Sequence, residues 1–214
     1  MKPSPLQAGR HNADLEASTS RLVRGGSYKR QRVVYLVPAI APIPPLVYLS
    51  HVSLIFPPNQ PAHRMLALGD EVGIAYSNAI EQVLAHPDLS QWEWLLTIEA
   101  DNVPPPDGLV KLIERMEQHP TIHALSGLYW TKGEGGVCQR WGDVNDPILN
   151  FRPQLPPPPG ELGLCCGIGM GFVLWRLSMF KDTRLRRPWF KTIAGKEGVG
   201  TQDLFFWGDA RKYG

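Results

Sequence analysis

Glu99 and Asp101 stand one residue apart at the end of an apolar run, Trp94-Leu95-Leu96-Thr97-Ile98. Carboxylates at i and i+2 where a strand ends can converge on one bound cation. A hard divalent ion takes oxygen ligands of this kind, and the oxygens of a bound diphosphate can complete its shell. The pair points to metal-assisted chemistry on a phosphorylated donor, with Mn²⁺ or Mg²⁺ as the ion. The competing reading is an acid-rich turn in which Asp101-Asn102 caps loop backbone. A third acid, Asp203, follows Thr201 in Gly200-Thr201-Gln202-Asp203-Leu204-Phe205-Phe206. Thr201 suits an N-cap, and Asp203 then falls in the first helical turn. There it is either a general base for an acceptor hydroxyl or a partner of the helix dipole worth about 0.3–1 kcal/mol.

Two further features carry weaker signals. Gly167-Ile168-Gly169-Met170-Gly171 leads into an apolar, strand-like segment and not a helix, so it does not match the dinucleotide fingerprint. Phosphate cradling, close backbone approach to a substrate and a strand bend all suit it. Trp130 and Trp141 flank a Gly-rich stretch, Gly133–Gly136, where they suit stacking on a sugar or base, or packing of a lid. The six histidines show no metal-ligand spacing and read mostly as surface or helix-end residues.

These residues need a scaffold, and the pattern supplies one. Strand signals at Arg32–Ala39, Arg64–Leu68, Trp94–Ile98 and Ile122–Ser126 alternate with helical periodicity at Leu46–Ile55, Glu71–His86 and Asp107–Gln118. Alternation of this kind predicts an α/β fold, a mainly parallel sheet with helices on both faces. Ligands of such sheets sit at the carboxyl ends of strands, where Glu99 and Asp101 fall. Further along, Pro156–Pro159 forms a stiff spacer. Phe172–Trp175 is an apolar strand, Arg176–Phe180 starts a short helix, Ala194–Gly200 reads as a polar loop, and Thr201–Tyr213 as the last helix.

Composition sets limits. Residues 1–32 hold seven Lys/Arg against Asp14 and Glu16, so +5, which leaves −3 for the rest of a chain of formal charge +2. A mildly acidic body argues against nucleic-acid binding as its main task, and the polar, basic residues 1–31 read as a flexible tail. Three cysteines, two of them adjacent, form no disulfide framework or zinc spacing, which predicts a reducing, cytoplasmic setting. Residues 33–58 carry no formal charge and follow a basic cluster, as a signal anchor would. Pro38, Pro42, Pro44 and Pro45 interrupt them, each costing a helix interior roughly 3 kcal/mol, so strand, turn and helix are expected, with no transmembrane segment.

Taken in order, Ile98-Glu99-Ala100-Asp101-Asn102-Val103-Pro104, Ser126-Gly127-Leu128-Tyr129-Trp130, Gly167–Phe180, Pro188-Trp189-Phe190 and Thr201–Phe206 resemble the motifs of a GT-A fold glycosyltransferase of the family-2 kind. The resemblance covers about residues 33–214. It implies a single GT-A domain over 32–214 that moves a sugar from a nucleotide-diphosphate donor to an acceptor hydroxyl. Asp101 would be the main metal- and diphosphate-facing carboxylate, Glu99 its partner, and Asp203 the base of an inverting transfer. Pro38 and Ala39 after the first strand, with Asn78 on the second helix, would line the nucleotide. The acceptor, whether glycan, lipid, protein or modified nucleobase, is left open. Three departures stand out. The acidic motif begins with Glu99 where the family often has Asp, and Ser77 precedes Asn78 where it often has Arg. The family's usual C-terminal segment, often with a histidine that completes the metal site, is expected to be missing beyond Gly214. Two alternatives follow: a catalytically silent nucleotide-sugar or carbohydrate-binding protein of the same fold, and a nucleotidyltransferase. The latter usually has a Gly- and basic-rich loop after its first strand, which Pro38–Pro45 lacks.

Overall fold

In the computed structural model the described residues are 30–131, 133–195 and 198–213. The tail expected over 1–31 therefore lies almost wholly outside the described residues. Residues Arg32–Gly214 form one compact unit, built on a five-stranded mixed sheet.

The strands are β1 (Val33–Ala39), β2 (Ala62–Leu68), β3 (Trp94–Ile98), β4 (Ala124–Ser126) and β7 (Phe172–Arg176), in the order β2-β1-β3-β7-β4. β1 pairs in parallel with β2 and β3, while β7 runs antiparallel between β3 and β4. The sheet is thus less parallel than the alternation predicted. The fourth strand of the sequence is not the neighbour of the third. A fully apolar strand, Phe172 to Trp175, takes the position between them, which is buried on both faces.

Side chains of period two divide the core. Val34, Leu36, Leu95, Val173 and Trp175 face α2 (Val72–Ala85) and α4 (Gln202–Ala210). Val33, Tyr35, Val37, Trp94, Leu96, Ile98 and Leu174 face the other layer, which contains α3 (Gly108–Gln118). α1 (Pro45–Val52) starts on Pro45 and buries only Val47 and His51. α3 buries Leu109, Leu112, Ile113 and Met116, as its spacing predicts. Its last turn is closed by Arg176 from β7, whose guanidinium donates to the carbonyls of Met116 at 2.6 Å and Ile122 at 2.8 Å. Cationic donors on orphan C-terminal carbonyls are favourable.

Two short elements complete the second half. β5 (Arg140–Trp141) pairs antiparallel with β6 (Gly167–Ile168). The segment expected to be a polar loop over 194–200 is instead a ribbon, β8 (Ile193–Gly195) against β9 (Gly198–Gly200). Its Ala- and Gly-rich strands lack the β-branched alternation that would have flagged them. Among the described residues no helix is long and apolar enough to cross a membrane.

Candidate active site

The acidic turn is held from both sides of the sheet end. Ile98 is the last β3 residue paired with β7, opposite Phe172, and the amide of Glu99 extends that ladder by donating to the Gly171 carbonyl at 3.2 Å. The chain then folds back, with the Asn102 amide donating to the Glu99 carbonyl at 3.2 Å. The Asn102 side-chain amide donates to Asp101 Oδ1 at 3.1 Å. From below, His51 Nε2–H on α1 donates to the Asn102 carbonyl at 3.0 Å. His51 is buried edge-on against the Tyr35 ring, and that burial lowers its pKa. It stays neutral and acts as a post for the turn. The histidines read as mostly surface residues, and among the described residues His51 is the only buried one of them.

The glycine run is explained by close approach. Tyr129, three residues past β4, lays its ring across this backbone, and its hydroxyl accepts from the Gly171 amide at 2.7 Å. A Cβ on Gly171 would sit 2.5 Å from the ring carbon Cζ of Tyr129 and 2.6 Å from Asn102 Nδ2. A Cβ on Gly169 would overlap the Tyr129 hydroxyl. Close approach to a substrate is one expectation at Gly167–Gly171, whereas the group packed against Gly169 and Gly171 is Tyr129 of the chain itself. Burial first, then the charge of Glu99, raises the pKa of Tyr129, so its phenol keeps its proton.

Asp203 is positioned by aromatic packing. Phe206, one turn along α4, stacks on Phe190 at 4.9 Å and meets Trp175 edge-on at 5.5 Å. Aromatic pairs contribute about 0.5–1.5 kcal/mol each beyond burial. Phe190 is itself clasped by Ser77 on α2, whose hydroxyl accepts from the Phe190 amide at 3.1 Å and donates to its carbonyl at 3.2 Å. Ser77, which precedes Asn78 where the resembled family often has Arg, is a buried latch. Asp203 is only 6% exposed. Its Oδ1 accepts from the Leu204 amide at 2.9 Å and from the Thr201 hydroxyl. Burial raises its pKa, and these two hydrogen bonds only partly offset the rise.

Glu99, Asp101 and Asn102 after β3, Tyr129 to Thr131 after β4, and Thr201 to Asp203 at the start of α4 line one cavity. Gln139 completes its wall. The volume is about 360 Å³, within the roughly 300–1,000 Å³ of small-molecule sites. Three acids from widely separated stretches of sequence thus meet at the carboxyl end of the sheet. Trp130, half exposed, stands at the same cavity, whereas Trp141 does not.

Other expected contacts lie apart. Pro38 and Ala39 end β1 and are buried. The ladder to β3 stops at Leu36 opposite Thr97, so Pro38 falls beyond it. Asn78 is exposed on α2. None of the three lines the carboxylate cavity. Among the described residues no group of three or more His, Cys, Asp or Glu gathers as a metal cage.

Sequence reasoning missed Tyr76. Its side chain is wholly buried on α2, and its hydroxyl has no hydrogen-bond partner among the described residues. Burial raises its pKa well above the ordinary value, and the charges of Glu99, Asp203 and Asp101 add to the rise. A tyrosine inside an apolar helical stripe gives no signal of facing charge. No protein-family model matches the chain, and no curated protein matches it.

Proposed function

We propose that this protein is a glycosyltransferase of the GT-A kind, moving a sugar from a nucleotide-diphosphate donor to an acceptor hydroxyl. The observation that carries this reading is the meeting of Glu99, Asp101 and Asp203 in one cavity at the sheet's carboxyl end. Two acids one residue apart on an open turn suit a diphosphate-bound Mn²⁺ or Mg²⁺. That ion would supply Lewis-acid stabilisation of the leaving diphosphate. A buried acid with a raised pKa across the cavity suits a base. Asp203 takes the proton of the acceptor hydroxyl. The oxygen forms its bond to the anomeric carbon, and the bond from that carbon to the diphosphate oxygen breaks with its electron pair going to the leaving group. Trp130 offers the sugar an aromatic face. Tyr129, protonated and anchored on the Gly171 amide, fixes the wall between the two acids. The cytoplasmic setting belongs to the same proposal and is supported by Cys138, Cys165 and Cys166 being free thiols.

The test is release of nucleoside diphosphate from a panel of nucleotide sugars by the purified chain with Mn²⁺. The expected result is release with at least one donor, and weakening of nucleotide binding by about tenfold or more in Asp101→Ala. Binding that depends on Asp101 without any release would favour the silent, nucleotide-sugar-binding alternative, to which the lack of a third clustered ligand among the described residues lends support. No release, with nucleotide binding untouched by Asp101→Ala, would overturn the transferase reading.

A further inference from the structure

A second cavity, of about 400 Å³, runs along the free edge of β4. β4 is the last strand of the sheet and pairs only with β7. The bonds to β7 pass through the carbonyl of His123, which accepts from the Arg176 amide at 2.8 Å, and through the amide of Gly127, which donates to the Phe172 carbonyl at 3.0 Å. In an antiparallel ladder the intervening residues turn their peptide groups the other way. Ala124 and Ser126 therefore direct N–H and C=O away from β7. The lining on the strand side includes Leu125 and Leu128, and across from them residues 161–168 and Met179.

This groove and the acidic cavity share one wall residue, Gln139. From Ser126 to Tyr129 the chain covers at most about 10 Å. A ligand lying along β4 would therefore end near the cavity that holds Asp203.

We propose that the groove docks a polypeptide segment in extended conformation, hydrogen-bonded to β4 as an added strand, with a hydroxyl side chain delivered to the acidic cavity. Its identification as the acceptor rests on the transferase reading; the docking itself does not. The edge decides the class of occupant. A hydrocarbon chain would fill the apolar walls but strip water from the peptide groups of Ala124 and Ser126 without replacing their hydrogen bonds. An extended peptide satisfies them and places alternate side chains against the walls.

The experiment selects binders of the full chain from a displayed library of random nonapeptides and then synthesises the winner. Alternating apolar residues with a Ser or Thr are expected. Binding should slow hydrogen exchange at the Ala124 and Ser126 amides. N-methylation of alternate peptide amides should weaken binding by at least about tenfold. Ala124→Pro, which removes an N–H on the side away from β7, should do the same. The N-methyl peptide keeps the test valid if that variant does not fold. Failure to select any peptide, or binding that ignores N-methylation, overturns the proposal. So does displacement of the peptide by a dodecyl chain of equal affinity, or a dimer of this chain that Ala124→Pro dissolves. A bound peptide that receives no sugar while the chain releases nucleoside diphosphate overturns the peptide's role as acceptor and leaves docking standing. Transfer to other acceptors without peptide binding overturns docking and leaves the transferase reading standing.

Discussion

Asp101 and Asp203 are the same residue type, line the same cavity and live in opposite surroundings. Asp101 is exposed on a backbone turn braced by Asn102 and, through it, by His51. Asp203 is buried in the first turn of a helix fixed by an aromatic cluster, and burial lifts its pKa. A site can set one acid apart for proton transfer by burying it. An open, solvated carboxylate suits a cation and its diphosphate. A desolvated one suits proton transfer, because its affinity for a proton rises toward working pH. The aromatic core under α4 is therefore as much a part of the candidate chemistry as the acids themselves.

The sharpest way to break this contrast is Asp203→Asn. Loss of a positioned base is expected to lower turnover by about 10²–10⁴-fold while nucleotide binding persists, measured as diphosphate release beside a binding titration. In the wild type, activity should fall as pH drops through the pKa of Asp203, on a limb above the ordinary carboxylate range. Thr201→Val removes a hydrogen bond that holds this pKa down, so the limb should move to higher pH. Stability runs the opposite way. An acid whose folded pKa is raised binds more protons folded than unfolded, so ionising it costs stability as pH rises. Asp203→Asn should then melt higher than wild type near neutral pH. That margin should vanish as pH falls below the ordinary carboxylate value, where both states are protonated. A variant that melts lower at neutral pH would mean that the hydrogen bonds from Thr201 and Leu204 outweigh burial.

The other side of the contrast is tested at Gly171, which lies between Tyr129 and Asn102. Gly171→Ala forces a methyl group against both. Overpacking of this kind costs typically about 1–3 kcal/mol, read from chemical denaturation. The displaced turn should weaken Mn²⁺-dependent nucleotide binding and leave the pH limb assigned to Asp203 where it was. A shift of that limb would show that the two acids are coupled through Tyr129.

Much of this arrangement is legible in the sequence where periodicity is strong. β3 spans Trp94–Ile98 as read, and α3 buries the four apolar residues that its spacing selects. Glu99, Asp101 and Asp203 were singled out by type and by position at element ends. What stayed hidden depends on long-range contacts. The insertion of β7 between β3 and β4 follows from which strand can be buried on both faces, a comparison that no local window makes. Ser77 reads only as a departure from the resembled family's Arg until Phe190, 113 positions away, is seen to fold onto it. The glycines after β6 carried three readings because their partner, Tyr129, is 42 residues distant from Gly171. Asn78 failed to join the cavity because the face of α2 that it occupies points to solvent.

Tyr76 tests the contrast at its smallest scale. Its hydroxyl is buried, has no hydrogen-bond partner among the described residues and senses both the acidic turn and Asp203. A buried hydroxyl without a partner costs about 1–3 kcal/mol. Tyr76→Phe removes that cost together with the group and leaves the ring contact with Phe190, 5.7 Å between centroids, in place. The variant should therefore be as stable as wild type or up to about 1 kcal/mol more so, with the pH limb unmoved. A loss of stability would instead require a buried water linking the hydroxyl to the acids, since such waters are costly to remove. In that case the limb should move as well, because the same water would solvate Asp203. Measuring both quantities on one variant separates a dry boundary between the two acids from a shared hydrogen-bonded one.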